Sequence, residues 1–407
     1  LANDSIYIFV ETTIDFNSVS SPLYLDKIIF DSGLNEQHVD LVTLVQDATF
    51  IFPGKDPMTM KIDSLSLDGK PTQIKGRFLE DSELTFTSAK PYVIYGYAAV
   101  PENKTLTIEA GTKLFFHDNS GLIIDNKATL KVNGTLDNKV VFEGDRLENR
   151  FNDVPGQWGT IWMRAGSKNN EMNYAVIKNG IIGILSDSIG SPTTPTLHIK
   201  NTQIHNNASY GILGRQTHIK GENIVIGNNG QSALACIIGG TYDFTHSTFA
   251  NYWNTSLREL PSVLINNHFT YQDGNGNEVT ETRDLHAANF TNCIIDGNNS
   301  IEFIVDKLDG SIFNFNVRNS MLQFNDLNGA FTNNSELNFD NLNFYQENIL
   351  NGITDFKNPA LNEFLIGEEN AGINKALIST SILFPLDILG VNRVSSPDIG
   401  AYQHITF

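Results

Sequence analysis

The chain has 407 residues, 40% hydrophobic and 18% charged, a folded composition too long for one compact core. Its 27 Lys and Arg against 46 Asp and Glu leave a net charge of −19, which repels phosphate backbones and argues against a nucleic-acid partner. No run of 18 apolar residues is available to span a membrane as a helix.

Residues 1–98 read as a small antiparallel β-rich region. Ser5–Thr13, Lys27–Phe30 and His38–Val45 alternate like strands between polar turns, with weaker candidates at Ile62–Ser66 and Tyr92–Tyr97. The region resembles part of a β-sandwich and is short for a complete one. The chain opens on Leu1 without a signal-peptide pattern, so the expectation is a processed or trimmed chain.

From residue 99 the pattern changes. Short strands at Leu106–Ile108, Lys113–Phe116, Leu122–Ile124, Leu130–Val132 and Val140–Phe142 are divided by turns such as AGT and DNSG, and Gly156–Met163 opens the next unit. Seven segments then align without gaps, starting at Asn170, Leu197, Ile219, Tyr242, Ala288, Phe315 and Leu337, at offsets of 27, 22, 23, 46, 27 and 22 residues. Columns one and three are mostly apolar, and column eight is apolar throughout. Columns six and eight have the opposite parity to columns one and three. A straight strand keeps its parity, so the chain must bend between columns three and six. Column five sits at that bend and holds Asn201, Asn223, Asn292, Asn319 and Asn341, with Tyr174 and His246 in the other two segments. Asn tolerates the left-handed conformation better than other non-glycine residues, and stacked Asn side chains can form a ladder. The predicted fold is all-β: a right-handed parallel β-helix over 99–407, preceded by an incomplete sandwich-like region over 1–98.

The 46-residue offset marks an interrupted rung. Residues 260–286 read as a hairpin around DGNGN, standing off the solenoid. Asp273, Asn275, Asn277, Glu281 and Asp284 have partial EF-hand spacing, but Glu278 replaces the glycine that a calcium loop requires. A plain hairpin turn is the expectation, with calcium the alternative; no other cofactor is expected. Tyr252, Trp253, Phe269 and Tyr271 could stack on sugar rings or pack the hairpin base. Counting parity from Ile161 places Trp158 and Trp162 outside. The irregular apolar segment 371–407, which includes SPDIGAYQ, is expected to cover the last rung, because an open solenoid end exposes core and edge. Cys236 and Cys293 lie in apolar stretches and read as buried free thiols.

Tests for carbohydrate-cleaving chemistry are negative at the level of motifs. There is no GHG or NTDG, as a polygalacturonase-like carboxylate site would require. The HIK triplets at His198–Lys200 and His218–Lys220 look like equivalent, outward-facing positions. Arg215, Arg258, Arg283 and Arg318 share no column and read as surface salt-bridge partners.

DSIYIFVETTID, DKIIFDSGLNEQHVDLVTLVQDA, KPYVIYGYAAVPENKTLTIEAGTKLFFHDNSGLII, FEGDRLENRFNDVPGQWGTIWM and SPDIGAYQ resemble surface lipoproteins of Gram-negative bacteria that join an Ig-like sandwich to a β-helix. The resemblance implies export, an N-terminal lipid anchor and a cell-surface location. It implies no established activity and no catalytic residue. The expected function is a non-catalytic surface protein that binds a polysaccharide or a surface protein and meets the membrane only through that anchor. The alternatives are a polysaccharide lyase or glycoside hydrolase, and a structural spacer.

Overall fold

Successive side chains of a strand point to opposite faces, so a chain that bends between short strands can line one core from several sides. The computed structural model describes residues 23–30, 35–44, 47–191 and 193–407, together with Ile8, Val10, Ile14 and Gly33. It is a right-handed parallel β-helix with three faces. One turn shows the order: Ile161–Met163 on a first face, Asn170–Asn173 on a second and Ala175–Lys178 on a third. Tyr210–Glu222 and Leu234–Thr245 run unbroken from the first face into the second.

The repeat is a spatial register. On the second face Asn170, Leu197, Ile219, Tyr242 and Ala288 stack in turn. On the third, Gln203, Val225, Thr248, Ile294 and Met321 do the same. The bend between them is left-handed at Tyr174, Asn201, Asn223, His246, Asn292 and Asn319, with φ from 44 to 58°. Asn201 donates to Asn173 Oδ1 at 2.9 Å, and Asn223 donates to Asn201 Oδ1 at 3.1 Å.

The seventh segment is displaced. Val317 pairs with Tyr345 and Met321 with Ile349, which puts Glu347 (φ 53°), not Asn341, at the bend. Asn341 instead caps a local turn, accepting the Asn343 amide at 3.1 Å. The reason lies in the intervening chain: Asp326 and Asn334 fold residues 324–345 into turns by accepting backbone amides.

Inward side chains form one continuous core from Ile51 to Tyr345. Trp158 belongs to it: fully buried and stacked on Phe116 at 4.4 Å, it corrects the outward placement. The strand begins only at Ile161, and Gly159 packs tightly against Tyr97, so parity does not carry back across that bend. Trp162 does lie outside, against the hairpin Ser64–Leu67/Lys70–Phe78.

Parallel pairing starts at Thr49–Ile51, upstream of the break expected at residue 98, and Tyr92–Ile94 and Tyr97–Val100 are strands of the solenoid. Before it, Leu23–Phe30 and Gln37–Leu44 form an antiparallel pair. The strand expected at Ser5–Thr13 lies outside the described residues apart from Ile8 and Val10.

The last rung is closed by residues 324–345, whose Phe324, Phe331, Phe339 and Phe344 pack against the core. The expectation for 371–407 is therefore corrected. That segment, with the chain from Ile353 onward, is a strap along the outside of the third face. Phe364, Ile366, Ile388, Ile399 and Tyr402 cover the outward Val225, Ala250, Ile294 and Met321. Hydrogen bonds fasten it, including Gln203 to Tyr402 Oη at 3.0 Å and Ala401 N to Thr248 Oγ1 at 3.1 Å.

Candidate functional site

The interrupted rung carries an antiparallel hairpin, His268–Gln272 with Glu278–Thr282, at the corner between the first and second faces. Asp273 closes its turn: Oδ1 accepts the amides of Asn275 and Asn277 at 2.8 and 2.9 Å, and the Asn277 side chain, followed by these amides, holds its carboxyl below the usual range. Glu281 accepts from Tyr271 Oη at 2.8 Å and from Arg283 at 2.5 Å. Asp284 accepts the Ile312 amide at the hairpin base. The five residues with calcium-like spacing are thus divided among turn, strand and base. Among the described residues no three His, Cys, Asp or Glu are grouped to hold a metal ion.

The four aromatic candidates separate into two pairs. Tyr252 donates to Asp296 at 2.6 Å and packs on Phe356 and Phe364 of the strap, while Trp253 is buried and donates to Ser256. Phe269 and Tyr271 stay together on the hairpin, 5.6 Å apart, with Arg283 above Phe269 and Tyr271 exposed. His268 and Phe269 are consecutive on a strand and so face opposite ways. His268 reaches Asp306 of the following rung at 3.1 Å, which turns the Phe269–Tyr271 side toward the preceding rungs.

Those rungs carry an outward column that sequence reasoning missed. Trp162, Leu185, Leu213, Ala235, Leu264 and Ile304 stack on the outside of the first face. Two residues on, Asp125, Arg164, Asp187 and Arg215 alternate in charge along its edge. Trp162 Nε1 donates to Asp187 at 2.8 Å, Arg215 donates to the same carboxylate at 2.5 Å, and Arg164 joins Asp125 to Asp68. The signal was a second apolar parity in strands such as IGIL, which alternation alone assigns to no particular partner. Along this column Leu185, Leu264 and Ile304 are partly exposed, Leu213 and Ala235 are buried, and Trp162 packs on the Ser64–Phe78 hairpin.

Below the hairpin, Arg258 is buried, not a surface residue. It grips Glu302 and also donates to Leu260 O at 2.7 Å and to Asn298 at 2.7 Å. Burial pushes the Glu302 carboxyl up and Arg258 pulls it back. The pair holds the loop that leads into the interrupted rung. A cavity of about 640 Å³ lies elsewhere, between the 23–44 hairpin and Glu148–Arg150.

The second face gathers titratable groups outside. His198 stacks on Lys220, and Lys200 on Glu222, so the two HIK triplets are offset by two residues and not equivalent. Glu222 accepts from His198 at 3.0 Å and Lys220 at 2.7 Å. Burial opposes its ionisation, but those partners outweigh it and hold the carboxyl at about 2. Beside it, burial pushes Asp243 up and His218 down. Glu222 stays a fixed charge near neutrality. Cys236 and Cys293 are free and buried in the core.

No curated protein and no solved structure matches the chain. Residues 76–181 match a family model described as a pectate-lyase like beta helix domain, which places that stretch among parallel β-helices and agrees with the stacked rungs seen there.

Proposed function

We propose that this chain is a non-catalytic, exported surface protein that binds a neutral glycan along the first face, beside the hairpin. The observation that carries this reading is the Phe269–Tyr271 pair of the hairpin, with Tyr271 exposed, beside an outward apolar column whose Leu185, Leu264 and Ile304 are partly open. Flat aromatic and aliphatic surfaces suit the apolar faces of sugar rings. A net charge of −19 disfavours polyuronates and sulfated chains, so the ligand class is uncharged. Tyr271 is exposed at its ring and can be changed without touching the core.

The test is titration of the intact chain with neutral oligosaccharides drawn from a glycan array. Tyr271→Ala should weaken binding about ten-fold, the loss of one stacking contact. Unchanged affinity in that variant, or no glycan bound at all, sinks the reading. A second reading is a polysaccharide-cleaving enzyme on the second face, favoured by the opposed shifts of Asp243 and His218. It predicts shortened sugar products in the same titration, which binding alone does not produce.

A further inference from the structure

The strap crosses the corner between the second and third faces over a buried histidine. His246 stands in the bend column between Asn223 and Asn292 with the same left-handed backbone, φ 47° against 52 and 58°. Its side chain is fully enclosed. Ser381, in the short helix Ile378–Leu383, places Oγ 2.9 Å from His246 Nε2. Asn292 places Nδ2 3.0 Å from the same nitrogen. The Leu377 amide donates to Asn292 Oδ1 at 2.7 Å, which fixes the orientation of the Asn292 side chain. Nδ2 can only donate, so Nε2 is the acceptor, and the neutral ring carries its proton on Nδ1.

The charges around this ring belong to the strap. Arg393 is fully buried and donates to Asn223 Oδ1 at 3.0 Å and to the Gly400 carbonyl at 3.2 Å. Asp387 and Asp398, also fully buried, attract its guanidinium. Asp387 accepts the amides of Leu389, Val391 and Gln403. Asp398 accepts those of Asn374 and His404 and lies 2.7 Å from His404 Nδ1. The neighbouring rungs present only the uncharged Asn223 and Asn292 to the ring, and Lys220 stays outside, over the Phe384 ring. Burial pushes His246 well below its ordinary 6.5, Arg393 adds to the push, and the backbone at Gly400 and Asp398 opposes it.

We propose that residues 374–402 are a proton-released latch, which lifts from the corner when His246 takes up a proton while the rungs stay folded. A proton on Nε2 turns the acceptor into a donor that faces the Asn292 donor, and it sets a second buried cation beside Arg393. The closed latch keeps the ring neutral, and the open one lets it charge in water. The closed state is therefore at full strength above pH 6.5 and weakens as pH falls through 6.5 toward the depressed value. Release uncovers Thr248 and Ile294, on which Ala401 and Gly400 lie. The other half of the strap covers two further titratable groups. Burial pushes His205, beside Phe364, down to about 4, and pushes Asp296, which Thr354 contacts, up. The two act in opposite senses, so that half is read separately.

The experiment is hydrogen–deuterium exchange of the intact chain, read by mass spectrometry and corrected for intrinsic exchange. Between about pH 7.5 and about pH 5.5 the open fraction of residues 376–392 should rise about ten-fold, the effect of one proton taken up on opening. The strands within residues 105–133 should not change. His246→Asn puts at this bend the residue type of Asn223 and Asn292, so the left-handed backbone is kept. It should abolish the rise in 376–392 and leave residues 356–366 as in wild type. His246→Gln reads the same loss if the Asn variant fails to fold by circular dichroism. A flat wild-type profile, a rise that the variant keeps, or an equal rise in 105–133 overturns the proposal.

Discussion

The outer sides of the first and third faces carry the same pattern and meet different fates. Both have an outward apolar column beside the inward one. On the third face Val225, Ile294 and Met321 are at most 4% exposed, because the strap lies over them. On the first face Leu185, Leu264 and Ile304 stay partly exposed, although Leu213 and Ala235 between them are buried and Trp162 packs on the Ser64–Phe78 hairpin. The lesson is that an outward apolar column in a solenoid calls for a covering partner. The third face has one within the chain, and under the proposed function a glycan is the partner of the open part of the first-face column. The second face needs no cover, because its outward positions are occupied by charges that pair from rung to rung.

The sharpest way to break this comparison is to place one charge on each column. Ile294→Asp buries a carboxylate under the strap without a partner and should cost about 3–5 kcal/mol. Leu264→Asp on the first face should cost about 1 kcal/mol or less, since the side chain reaches water. Denaturant titration of both variants measures the difference, and equal losses would remove the distinction between a covered and an open face.

The next effect belongs to the second face. The Glu222 carboxyl lies below its ordinary 4.5, at about 2, so its contribution is complete above pH 4.5 and is lost as pH falls toward 2. The contribution is on the order of 2–3 kcal/mol. Thermal unfolding of wild type and Glu222→Gln across that window should converge as pH drops, and parallel curves would contradict the pairing.

The smallest effect is expected at the hairpin tip. Asp273→Ala removes three hydrogen bonds from an exposed turn and should lower the melting temperature only slightly. Added calcium should leave the wild-type melting curve unmoved, and a calcium-dependent rise would show that the turn gathers ligands on binding.

Much of the fold was legible because the repeat is local. Six of the seven aligned segments pair residue for residue, since inward parity and the left-handed Asn bend each act within one rung. The seventh slipped by six residues because Asn341, a good bend residue by type, is used in a local turn, and Glu347 takes the strained position. The calcium-like spacing failed as a guide for the same kind of reason: Asp273, Glu281 and Asp284 each had nearer hydrogen-bond partners in the hairpin and at its base.

What the sequence determined by itself was the rung: alternation chose the inward side chains, and the parity change located the bend. What tertiary structure decided was which segment covers which outer surface. Sequence alone reads the 371–407 part of the strap as a cover for the last rung, since both placements bury apolar area. Geometry settles the matter, because residues 324–345 already close that end and the Asn, His and Thr side chains of the bend and third face point their hydrogen-bonding groups outward to the strap. Hydrophobic burial is non-directional and names no partner. Hydrogen bonds have direction, and in this chain they choose one.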